Sequence, residues 1–144
     1  MTTTRDDISV RNGESVTGIT LTITEGAALI RGRVSGGESE ALPMSIRVYL
    51  VPAGVGASAS VYRFYETDLE TDGAFVLDNV APGKYWIVAR PAEKNEAGVK
   101  KSIRQDETLR AKVFSGAEAF KRAVTLKPCE KVADFVLRYS PSPP

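Results

Sequence analysis

The chain has 144 residues, is 42% hydrophobic, and carries 19 basic and 18 acidic side chains for a net charge of +1. That is the size of one domain with one core, and the balance of charge gives no field to draw it onto nucleic acid or an anionic membrane surface. The chain has no histidine, which excludes the commonest general base, the Ser-His-Asp and Cys-His nucleophile systems and every histidine-containing zinc site. Its one cysteine, Cys129, excludes an internal disulfide and a multi-cysteine metal cluster.

In chain order, the first periodic signal lies over residues 16–23, where Ile19, Leu21 and Ile23 alternate with Thr20 and Thr22. A period of two in β-branched residues predicts a half-buried strand. A second strand is predicted from Ala28 to Val34, with Ala28, Ile30, Gly32 and Val34 on one face and Leu29, Arg31 and Arg33 on the other. Gly36-Gly37 closes it. Ile46, Val48 and Leu50 then alternate with Arg47, Tyr49 and Val51 up to Pro52, and the small residues of 53–60 read as a loop. The next strand is predicted over 61–67.

Thr71-Asp72-Gly73 marks a tight turn into Ala74-Phe75-Val76-Leu77, because Asp and Gly tolerate the positive φ such turns need. A second turn cluster, Asp78 to Gly83, precedes the most β-prone run of the chain, Tyr85 to Arg90, which ends at Pro91. Over about 106–121 the period changes. Leu109, Val113, Ala117 and Phe120 are spaced by four, four and three, which lines one helical face. Asp106 and Glu107 at its start, with Lys121 and Arg122 at its end, complement the helix dipole. Two more strands, 123–126 and 132–139, flank a turn at Pro128-Cys129.

Seven or eight short strands with one late helix and no regular strand-helix alternation predict an all-β fold, an antiparallel Greek-key β-sandwich with the helix inserted between late strands. Residues 1–26 are expected to be an N-terminal strand segment packing on or leading into the domain. Residues 27–139 are expected to form the sandwich, and 140–144 a proline-rich tail. Ile30-Arg31-Gly32-Arg33-Val34, Thr71 to Leu77, and Asn79-Val80-Ala81-Pro82-Gly83-Lys84-Tyr85-Trp86-Ile87-Val88-Ala89 together resemble the carboxypeptidase regulatory-like domain, a transthyretin-like, carbohydrate-binding-like β-sandwich of bacterial secreted proteins. The likeness is close over about residues 27–90. It implies a non-catalytic accessory module of a larger extracytoplasmic protein, with other domains of that parent as its partners.

The residues themselves leave few sites. Asp68, Glu70, Asp72 and Gly73 match the first half of a calcium loop, but its twelfth position is Asn79 where a bidentate Glu is needed. A solvated hairpin tip is the simpler account. Cys129 has Lys127 and Lys131 nearby to favour a thiolate, although an isolated cysteine is more often a small packed residue. Trp86 is expected in the core.

No catalytic, cofactor or metal residue is therefore assigned, and no enzymatic activity is expected. Arg31, Arg33, Arg47 and Tyr49 fall opposite the core residues of their strands and offer a cationic-aromatic surface for a carbohydrate or protein ligand. Cross-strand pairing with Glu66 or another carboxylate accounts for the same alternation. With no apolar run of about 18 residues and no apolar stretch after Met1, the chain is expected neither to insert in a membrane nor to carry its own signal peptide. An extracytoplasmic address then belongs to a longer precursor.

Overall fold

The computed structural model describes residues 9–20, 25–36, 42–43, 45–54 and 61–142. Among these are seven strands and one α-helix: β1 (Ala28–Ser35), β2 (Ile46–Pro52), β3 (Tyr65–Asp68), β4 (Ala74–Val80), β5 (Gly83–Pro91), α1 (Glu107–Phe120), β6 (Ala123–Leu126) and β7 (Lys131–Arg138). They form two sheets, one in the order β4-β1-β7 and the other β3-β2-β5-β6. The chain changes sheet at the β1–β2, β3–β4, β4–β5 and β6–β7 connections. This is the expected Greek-key sandwich.

The period of two in each strand explains why the sheets stack. Ile30 and Val34 of β1, Val48 and Leu50 of β2, Phe75 and Leu77 of β4, Tyr85 and Ile87 of β5, and Leu137 of β7 meet in one core. The alternate residues Arg31 and Arg33 stay exposed. The Asp72 turn sets the β4 register: its Oδ1 accepts from the Ala74 N–H at 3.1 Å, and Gly73 takes φ +83°. The Gly73 carbonyl in turn accepts from the Val34 N–H at 2.9 Å, which ties the hairpin tip to β1.

A second core lies on the other side of the β3-β2-β5-β6 sheet, where α1 lays Leu109, Val113 and Ala117 over Tyr49, Val51 and Val88. Asp106 caps the helix, its carboxylate accepting from the Leu109 N–H at 2.8 Å. Lys121 ends it in the left-handed conformation at φ 55°. Lys121 is thus the C-cap and Arg122 follows it, and the Arg122 guanidinium sits 4.9 Å from the Phe135 ring. Phe120 is only partly buried, because the helix ends there.

Five expectations need correcting. Residues 16–20 form no strand and are exposed, while 21–24 lie outside the described residues. An alternating pattern makes a strand only where a sheet edge satisfies its backbone groups. Residues Val61–Arg63 form a single 3-10 turn, so that strand begins only at Tyr65. One pairing departs from an antiparallel sandwich, since β1 and β7 run parallel from Leu29↔Lys131 to Ser35↔Arg138. Cys129 is exposed in a turn, at φ 61°, and is not a packed residue. Trp86 is partly buried and packs against the second core.

Candidate functional site

The four residues of the expected ligand surface do not share a surface. Arg31 and Arg33 project from the outer face of the β4-β1-β7 sheet, and Arg33 pairs with Asp72 at 3.3 Å across exposed surface. Arg47 and Tyr49 belong to the other sheet and face the opposite side of the sandwich. There they are covered. Tyr49 has no exposed area, and burial, helped by the charge of Glu66, pushes its phenol above the usual range. Its hydroxyl has no hydrogen-bond partner among the described residues.

Arg47 is a structural tie, with 15% of its side chain exposed. Its Nε donates to Asp68 Oδ1 at 2.7 Å, and its Nη1 donates to the Lys101 carbonyl at 3.1 Å and lies 3.3 Å from Glu66 Oε2. Lys100 also reaches Asp68 Oδ1, at 2.9 Å. The hydrogen bond from Arg47, joined by that from Lys100, holds the Asp68 carboxyl below the usual carboxylate range. The cluster fastens the 92–106 segment across β2 and β3. It also removes Asp68 from any calcium loop, since Asp68 faces Arg47 while Asp72 faces Arg33 and the Ala74 N–H.

A groove that no sequence pattern marks opens beside β3 and the end of β4, with a volume of about 820 Å³. Tyr62 comes from the 3-10 turn, Tyr65 and Glu66 from β3, Asp78 and Asn79 from β4, and Arg104 from the segment before α1. Arg104 organises one wall. Its Nε donates to the Phe64 carbonyl at 2.9 Å and its Nη2 to the Tyr62 carbonyl at 3.3 Å, which sets the guanidinium 5.8 Å from the Tyr62 ring and 5.1 Å from the Tyr65 ring.

Tyr65 is fixed twice more. Its hydroxyl accepts from the Ala81 N–H at 2.9 Å, and its ring meets Tyr85 edge-on at 6.0 Å. Glu66 accepts from the Ile103 N–H at 3.1 Å. The Tyr62 ring, by contrast, is about half exposed, at 54%. The groove thus combines pre-positioned aromatic faces with polar side chains, an arrangement suited to stacking and hydrogen bonding. The spacing of Tyr62 and Tyr65 was visible in sequence. Their meeting with Arg104 was not, because it depends on how the 92–106 segment crosses the sheet.

The second feature with functional consequence is the path of the chain. Because β1 and β7 are parallel neighbours, the chain enters at Ala28 at one end of the sandwich and leaves after Arg138 at the other. Eight residues at about 3.3 Å each separate those ends by roughly 26 Å. Both ends are fastened. Cys129 N–H donates to the Gly26 carbonyl at 2.9 Å where β1 begins, and Tyr139 N–H donates to the Ser35 carbonyl at 2.9 Å where it ends.

No family model matches the chain, and no curated protein matches it. Among solved structures it is similar to the major pilin subunit of Bacillus cereus, with a TM-score of 0.37 and 14% identity. The match covers 76% of this chain and 29% of that one.

Proposed function

We propose that the chain is a non-catalytic accessory β-sandwich module that spaces and docks the parts of a larger extracytoplasmic bacterial protein. The observation that carries this reading is the parallel pairing of β1 with β7. A domain entered at one end and left at the other lengthens a protein by its own long axis, whereas one with adjacent ends hangs off the side. The resemblance of residues 27–90 to the carboxypeptidase regulatory-like domain supports the same role.

An in-frame exchange tests it. Replacing the module in its parent by an unrelated β-sandwich of equal end-to-end length should restore function, and deleting it should not. If only the native sequence restores function, spacing is not its role.

The groove at Tyr62, Tyr65 and Arg104 favours a second reading, a carbohydrate-binding module. Aromatic faces stack on sugar rings while Asp78, Asn79 and Glu66 supply hydrogen-bond partners. A glycan array read with the native chain and with Tyr62→Ala separates the two. A saturable signal lost in the variant selects the sugar-binding role, and the absence of any signal removes it.

A further inference from the structure

We infer that β1 and its two neighbours form a mechanical clamp, so that the module resists tension applied through its own chain ends. This rests on the in-line reading above and adds to it, since a spacer need not withstand force. Tension between the termini draws β1 toward its N-terminus and β7 toward its C-terminus. The two strands are adjacent and parallel, so the pull runs along them and loads their hydrogen bonds in shear. β1 is also the central strand of its sheet, paired with β4 from Ala28↔Val80 to Arg33↔Ala74. Sliding β1 therefore breaks two ladders at once.

The ladder also contains a stop. Between Val132 and Phe135 the β7 strand bulges, with Asp134 at φ 56°, and brings the Phe135 carbonyl against Gly32. A Cβ placed on Gly32 would collide with that oxygen. Pulling β1 by two residues toward its N-terminus, the smallest slip that keeps its apolar face inward, carries Val34 into the place of Gly32. Val34 does not fit there. Slippage is thus opposed by backbone contact as well as by hydrogen bonds.

The pulling direction gives the test, because the folded protein is the same in both arms. In one arm the chain is held by its N- and C-termini. In the other it is held by its N-terminus and by the native thiol of Cys129, which is exposed and adjacent to the start of β1. That second geometry peels β1 from β7 bond by bond. The end-to-end rupture force should exceed the peeling force by roughly a factor of two or more, since sheared bonds fail together.

Tyr139→Pro removes the N–H bonded to Ser35 and should lower only the end-to-end force, whereas Tyr139→Ala keeps that N–H and controls for the lost side chain. Circular dichroism verifies the fold of each. Equal rupture forces in the two geometries, or an equal effect of the two substitutions on both, would overturn the clamp. Either result leaves the exchange experiment free to support the spacing role.

Discussion

Tyr85 shows how one buried side chain links core packing to pH. Its ring is fully buried in the sandwich, its hydroxyl donates to the Ala81 carbonyl, and burial pushes its pKa up from 10.0 to about 12. A phenol whose pKa is raised by folding contributes its stability in full below the unfolded value and loses it as pH rises toward the folded value. The two-unit shift is worth about 2–3 kcal/mol, of which roughly half is gone by pH 11. Urea midpoints measured from pH 9 to 11.5 should fall steeply for the native chain, and less so for Tyr85→Phe. Parallel profiles would show that another group sets the alkaline limit.

Tyr49 gives the opposite expectation, because its buried hydroxyl makes no hydrogen bond of good geometry among the described residues. Tyr49→Phe removes a group that pays desolvation without a bond, so stability should be unchanged within about 0.5 kcal/mol or rise. A loss above about 1 kcal/mol would mean that the hydroxyl has a partner, a bridging water being the simplest. Gly32→Ala should cost about 1–3 kcal/mol or more, since the added Cβ meets the Phe135 backbone and not a side chain that can rotate away. A neutral result in chemical denaturation would remove the close approach on which the strand stop depends.

At the scale of elements, α1 converts one half of a two-layer sandwich into a three-layer one. Leu109, Val113 and Ala117 are buried on it and Phe120 only partly. Leu109→Ala should therefore cost about 2–5 kcal/mol, and Phe120→Ala less than its size suggests. Equal losses at the two positions would contradict the placement of the helix end. The helix was legible because its four-four-three spacing is a local property. The strands now labelled β1, β2, β4, β5, β6 and β7 were legible for the same reason, each having alternating residues next to a turn of defined chemistry.

What was not legible depends on what packs against an element. Residues 16–20 have a strand's pattern and pair with no strand among the described residues. Tyr49 has the parity of an outward residue and is buried because α1 returns over it from some sixty positions later in the chain. A signal was present in Tyr49-Leu50-Val51, apolar at both parities, which marks a strand covered on both faces. Arg31 and Arg47 share a parity and yet belong to different sheets, so no one-dimensional pattern could separate them. The groove was hidden likewise, since Arg104 lies about forty residues from the tyrosines it stacks on.

For the whole molecule the decisive relation is between the first and last strands, and no turn or motif encodes it. Their parallel pairing results from the order of crossings between sheets, and it puts the start of β1 and the end of β7 at opposite ends of the sandwich, which is the ground of the proposed in-line role. The distance between its ends tests this directly. Spin labels are attached to cysteines introduced at Ala27 and Ser140, with Cys129→Ser to remove the native thiol, and the separation is measured by pulsed dipolar spectroscopy. Strand length predicts about 25–30 Å between the labelled backbones. A separation below about 15 Å would place entry and exit at the same end, and would contradict both the parallel pairing and the in-line role.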